Sequence, residues 1–286
     1  MNGSDGYLSI AEEQQAELEV MKELHAFCVK HGLRYILAYG TLLGAIRHKG
    51  FIPWDNDMDV IMPREDVEKL VEINKKDPIG KNVRLFHYTT DANYHYPIVR
   101  ACNTRTIVQP TYLREMIDDM GVWVDIFPMD GYIKSKLIFQ KPLRNFYLKM
   151  MNATMYLQEN ESGSKAFVRK SIIKVFPNKN HRYERKLSNL CAWSKYENSE
   201  TVCVLCEEEP PFEKQIMSRE DVENPVLAPF EDAEFYIPRN ADKYLTLQYG
   251  DYMQLPKEED RMTHSICSKY KDLSEFYLVS DVAVAL

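Results

Sequence analysis

The stretch Pro53–Pro63, PWDNDMDVIMP, sets Asp55, Asp57 and Asp59 at every second position and runs straight into Val60, Ile61 and Met62. In an extended chain, residues two apart share a face. The spacing predicts three carboxylates on one face at the edge of an apolar strand. Anions so placed repel one another unless positive charge lies between them, and oxygen ligands suit a hard cation such as Mg2+. A solvated acidic turn is the alternative, and the apolar flank disfavours it. A calcium loop of the EF-hand type starts with the same spacing but needs Gly at its sixth position and Glu at its twelfth. Val60 and Asp66 stand there instead.

Upstream, AYGTLLGAIRHKG places Gly40 and Thr41 between a short apolar strand, RYILAYG, and a helix starting at Thr41. Such a junction turns backbone N–H groups and a positive helix end toward whatever sits there, which suits phosphate. Arg47, His48 and Lys49 add cationic donors. Taken alone this is an ordinary strand–helix turn. Followed 16 to 18 residues later by Asp57 and Asp59, it reads as half of a phosphate and metal site.

Around this centre the pattern alternates. Residues 9–31 predict a helix, with Ser9 and Glu12 as a capping box, Leu18, Met21, Leu24 and Cys28 at helical spacing, and Gly32 as its stop. MDVIM predicts a strand, and Pro63 suits the first turn of the helix REDVEKLVEINKK. VRLFHY, PIVRACN and VWVDIFPMD predict further strands. Asp125 interrupts the last of these, and a carboxylate in an apolar strand needs a partner. The order predicts an α/β (α+β) fold, a mixed sheet flanked by helices.

With 286 residues, 45% hydrophobic and 28% charged, the chain has the composition of a soluble globular protein, and a net charge of −7 argues against a general nucleic-acid binder. The N-terminus is polar and acidic, and no apolar run approaches the ~18 residues that span a bilayer. A cytoplasmic location with six reduced cysteines is the expectation. Residues 132–190 differ in character, with 13 Lys/Arg against 3 Asp/Glu and many aromatic and aliphatic side chains. This segment reads as a basic helical insertion facing a membrane surface or a phosphate-rich acceptor, or as a helical subdomain with a solvated basic face. The chain divides into a core at 1–131, the insertion at 132–210 and a C-terminal segment at 211–286 that completes the core. Cys203 and Cys206 form one C-x-x-C, for which zinc would need further ligands such as Cys191 and His181 at irregular spacing. The tail, YLTLQYGDYMQLPKEEDRMTHS, predicts a helix and then an extended stretch, with His264 either facing the site or capping the tail.

YGTLLGAIRHKGFIPWDNDMDV resembles the signature block of the LicD family, which includes the fukutin-related proteins. VWVDIFPMDGY is similar to its second block and YLTLQYGDYM to its third, so that the resemblance spans about residues 18–131 and 230–265. Asn56 departs from it, since many members carry Asp there; its side chain should point away from the trio. The resemblance implies a nucleotidyltransferase-like fold. It implies that Gly40 and Thr41 hold phosphate and that Asp57, Asp59 and Asp125, with Asp55 added, bind Mg2+ or Mn2+. It implies transfer of phosphocholine from CDP-choline to a glycan or lipid-linked glycan acceptor, such as a teichoic acid, lipopolysaccharide or capsule precursor, at the inner membrane face. Asp125 or Asp55 would accept the proton of the attacking hydroxyl. A trimethylammonium group needs aromatic walls, and Trp54, Trp123, Tyr39 and Phe127 adjoin the site residues, with core packing as the alternative reading of each. Transfer of ribitol phosphate, glycerol phosphate or a nucleotide, and an inactive binding protein, are the alternatives.

Overall fold

The structure is a computed structural model that describes residues 7–108, 117, 119–155, 164–207, 210–261 and 268–270. His264 and Cys267 lie outside these residues.

Helix α1 (Ile10–His31) starts where its capping box predicts. Ser9 N–H donates to Glu12 Oε2 at 2.7 Å, and Gly32 closes the helix in the left-handed region at φ 63°. Strand β1 (Ile36–Leu37) leads into α2 (Tyr39–Arg47), and β2 (Met58–Pro63) into α3 (Arg64–Asn74). Strands β3 (Val83–Phe86), β4 (Val99–Asn103), β5 (Thr106–Val108) and β6 (Trp123–Gly131) follow. Three helices come next, α4 (Lys134–Met155), α5 (Ser164–Val175) and α6 (Arg182–Cys191). The chain then returns through β7 (Thr201–Val204), β8 (Met217–Ser218), α7 (Arg219–Glu223), the hairpin β9 (Val226–Phe230) and β10 (Ala233–Ile237), α8 (Ala241–Tyr249) and β11 (Ser268–Tyr270).

Seven strands form a mixed sheet in the order β1-β2-β6-β4-β3, with β7 on β6 and β8 on β7. Strand β6 is the axle. It pairs in parallel with β2 along one edge, and on the other it pairs first with β4 and then with β7, both antiparallel. The returning strand β7 falls within residues 132–210 yet joins this sheet, so the chain leaves it for α4–α6 and comes back. β9 and β10 make a separate hairpin, and β11 pairs with β5.

Both faces are covered. Met58, Val60 and Met62 of β2 join Val124 and Ile126 of β6 in one apolar cluster, while Ile61, Trp123 and Met129 belong to the other. Strands buried on both sides read as continuous apolar runs rather than alternating ones, as VIM and VWV do. A buried ion pair secures the far end of the axle. Arg64 donates Nε to Asp130 Oδ1 and Nη2 to Asp130 Oδ2, each at 2.6 Å, and Nη1 to Ser188 Oγ of α6 at 2.8 Å. This fork ties α3, β6 and the insertion together. Asp130→Ala leaves the guanidinium buried without its carboxylate and is expected to destabilise the fold by about 3–5 kcal/mol, read as a lower urea midpoint; a midpoint within error of the parent would contradict this role.

Candidate active site

The site grows from one register position. Asp59 of β2 is the Cα partner of Asp125 on β6, and Asp125 is in turn the partner of Arg100 on β4. Partners on adjacent strands project to the same face about 5 Å apart. The three side chains therefore form a row across the sheet, carboxylate, carboxylate, guanidinium. Arg100 Nε donates to Asp125 Oδ1 at 2.7 Å, and Trp123 Nε1 donates to Asp125 Oδ2 at 3.1 Å. The guanidinium is itself held over the Tyr96 and Trp123 rings, 4.1 and 4.2 Å from their centroids.

The turn at the start of α2 fastens to the same position. Ala38 N–H donates to the Asp59 carbonyl at 3.0 Å, and Asp59 N–H donates to Thr41 Oγ1 at 2.8 Å. The backbone of Asp59 is thus fixed on both sides to the N-terminus of a nine-residue helix that carries no side-chain cap. Tyr39 enters that helix at φ 45°, a strained value for a non-glycine residue. A Cβ at Gly40 would lie 2.6 Å from Asp55 Oδ2, so a side chain there would push the Asp55 carboxylate aside.

The sequence reading of the trio needs one correction. Asp59 alone lies in the strand; Asp55 and Asp57 sit in the loop before Met58. Pro53 and Trp54 make a turn there, closed by Asp55 N–H donating to the Ile52 carbonyl at 2.9 Å, and ladder pairing with β6 begins only at Met58. Alternation survives all the same. Asp55 and Asp57 are half-buried and share a hydrogen bond, while Asn56 is buried and turned away, donating Nδ2 to Glu13 Oε2 at 2.6 Å.

Two further acids were not foreseen. Glu13 and Glu17, one turn apart on α1, are both buried. Burial, and then the charges of Asp57, Glu13, Asp55 and Asp59, hold the Glu17 carboxyl well above the usual range, and its Oε2 has no hydrogen-bond partner among the described residues. Asp59 is pushed well up by burial and by Asp57, Asp125 and Asp55, against the opposing pull of Arg100. Burial likewise raises Asp55. Tyr249 of α8 is 46% exposed as a residue, and burial of the rest of its side chain, then Asp59, Asp55 and Asp57, push its phenol up. Such crowding of acids, with an orphaned buried oxygen beside it, fits a divalent cation held by Asp55, Asp57, Asp59 and Asp125.

The remaining predicted residues divide. Arg47 donates Nη1 to the Tyr252 carbonyl at 2.7 Å and Nε to His48 Nε2 at 2.9 Å, which fastens α2 to the segment after α8. Burial and Arg47 lower the His48 pKa. Lys49 occupies a left-handed turn position at φ 62°. Trp54 lies edge-on to His48, with Arg261 over it at 4.6 Å. Trp123 packs instead under Arg100, while Tyr39 and Phe127 meet each other edge-on at 5.4 Å, so these four aromatics are split between different contacts. Cys191, Cys203 and Cys206 are buried thiols whose pKa values burial raises, and His181 lies in another group, with His95 and Glu184. Arg100 left a signal that went unread: a lone arginine inside the apolar run PIVRACN.

Residues 32–154 match the family described as LicD/FKTN/FKRP, nucleotidyltransferase domain. The lipopolysaccharide cholinephosphotransferase LicD of Haemophilus influenzae is 28% identical over 276 residues, covering 92% of this chain and 98% of that protein. An uncharacterised protein of Rickettsia typhi is 26% identical over 149 residues, 51% of this chain and 43% of its own length. A second, from Rickettsia prowazekii, is 42% identical over 55 residues, 19% of this chain and 21% of its own.

The raised carboxyls set a pH dependence. When a folded-state carboxyl pKa lies above its unfolded value, the unfolded chain loses its proton first as pH rises. Stability then falls from about pH 4 up to the raised value. For Asp55, Asp59 and Glu17 the shift has this sign. In chelator, the thermal midpoint is expected to carry a falling contribution as pH rises above the ordinary carboxylate range, which saturating Mg2+ offsets. Asp59→Asn should flatten the slope and weaken the Mg2+ response. A slope unchanged by either Mg2+ or the substitution would contradict the assignment.

Proposed function

We propose that this protein belongs to the LicD family and transfers phosphocholine from CDP-choline to a glycan acceptor. The observation that carries the reading is the crowding of Asp55, Asp57, Asp59 and Asp125, with Asp55 and Asp59 set against the uncapped N-terminus of α2. Its substrate class rests on similarity to a lipopolysaccharide cholinephosphotransferase along nearly the whole of both chains. The acceptor proposed first is therefore lipopolysaccharide, with teichoic acid or capsule precursors as variants of the same chemistry.

Asp57, Asp59 and Asp125 would hold Mg2+ or Mn2+, which when bound neutralises the diphosphate and the departing cytidine monophosphate. The chain's own groups do the rest. Backbone amides of Gly40 and Thr41 receive phosphate oxygens at the helix end. The Thr41 hydroxyl, engaged with Asp59, acts by positioning that aspartate. Arg100 and Trp123 occupy both oxygens of Asp125 and so orient it. That leaves Asp55, whose pKa burial raises, to accept the proton in place of ligating the metal. An acceptor hydroxyl attacks the phosphorus bearing choline, its proton passes to Asp55, and the P–O bond to cytidine monophosphate breaks. Trp54, on the loop carrying the trio, is offered as an aromatic wall for the trimethylammonium group.

No helix among the described residues is long and apolar enough to cross a membrane. We place the acceptor at a membrane surface because α4 exposes Ile138, Phe139, Leu143 and Phe146 beside Lys134, Lys141 and Lys149. Basic flanks around an apolar stripe complement anionic headgroups.

Two experiments bear on this reading. Asp57→Asn and Asp59→Asn should each lower acceptor-dependent release of cytidine monophosphate from CDP-choline by about 100-fold or more; full turnover in both would reject the site. The protein should float with anionic liposomes at low salt, and Phe139→Glu should weaken flotation while leaving turnover on a soluble acceptor intact. Absence of flotation would remove the membrane contact and leave the chemistry standing.

A further inference from the structure

We infer that His95, His181 and Glu184 form a second divalent-metal site, of zinc type, that staples α6 to the loop ahead of β4. It stands apart from the proposed transfer chemistry and does not depend on it. Each of the three residues offers a ligand atom, and these atoms lie within 4.8 Å of one another. His95 Nδ1 is 3.1 Å from Glu184 Oε1, and the two imidazoles lie 4.8 Å apart, centroid to centroid. His181 is 8% exposed, and its Nδ1 is buried without a hydrogen-bond partner among the described residues. Glu184 is 0% exposed, and its ion-pair partner among the described residues is the His95 imidazole. A wholly buried carboxylate and an unpaired buried ring nitrogen are each costly. A cation among the three groups relieves both.

The donor set selects the metal. Two imidazoles and a carboxylate suit zinc, whereas Mg2+ and Ca2+ prefer oxygen ligands throughout. Zinc lies about 2.0–2.2 Å from such ligands, so side-chain rotation must close the cluster from its present spread. Asn178 already supplies an outer shell, donating Nδ2 to Glu184 Oε1 at 2.8 Å and to Oε2 at 3.0 Å. The competing explanation is a buried His–Glu pair with a second histidine stacked on it; that arrangement leaves His181 Nδ1 orphaned.

The position gives the site a purpose. His95 is followed at once by Tyr96, whose ring carries Arg100, the residue that orients Asp125. His181 immediately precedes α6. A metal here would pin the basic insertion to the loop that supports the transfer site.

The test uses the full chain with Asp57→Asn, which removes a ligand from the acidic site. Chelator-stripped protein is titrated with Zn2+ and, separately, with Co2+. The expected result is one equivalent bound, a visible Co2+ absorption of the strength given by a low-coordinate nitrogen and oxygen site, and a thermal midpoint raised by Zn2+. His181→Ala should abolish all three, and Glu184→Gln, which keeps the side-chain shape, should weaken binding at least tenfold. No uptake by the parent would overturn the inference. So would equal uptake and an equal spectrum in the parent and both variants.

Discussion

Two carboxylates forced face to face on adjacent parallel strands are the constraint on which this structure turns. Asp59 and Asp125 share a register position, and the sheet gives neither room to move away. Arg100 meets Asp125 from the other side, but Asp59 lies among Asp55, Asp57 and Asp125, and its pKa shows the strain. A fold that merely sought stability would place an apolar pair there. This one keeps the acids together, buries Glu17 behind them and leaves the helix end in front of them uncapped. The arrangement is consistent with a chain built to gain a cation and a phosphate group at once.

Much of the architecture serves to hold that row still. The long strand β6 carries Asp125 in the middle of the sheet, with β2 on one edge and β4 and β7 on the other. The Arg64–Asp130 fork fixes its end to α3 and α6. Helix α1 holds the Asp55–Asp57 loop through Glu13 and Asn56, and Gln14 Nε2 donates to the Asp55 carbonyl at 2.7 Å. The C-terminal part is fastened to α2 through the Tyr252 carbonyl, which accepts from Arg47.

Local signals were legible in the sequence, and non-local ones were not. The capping box of α1, its glycine stop and the apolar runs of β2 and β6 are written in contiguous residues and appear where expected. The trio is legible as a cluster, but the point at which the ladder begins, Met58, depends on pairing with β6 and is not. Nothing in the local pattern of α1 singles out Glu13 and Glu17; burial beside other acids is a tertiary fact. Strand β7 is four residues long, next to the acidic run CEEE, and owes its place to pairing with β6 across about 70 residues of chain. His181 was weighed with nearby cysteines, whereas its neighbour in space, His95, is far away in sequence.

The most direct test of the central claim is calorimetric titration of CDP-choline into the purified protein, with Mg2+ and with chelator, in the parent and in Asp57→Asn. The account predicts binding that needs Mg2+ and is lost on substitution, because the acids and the nucleotide repel each other without the cation. Equal affinity for CDP-choline in chelator, or in Asp57→Asn, would contradict it.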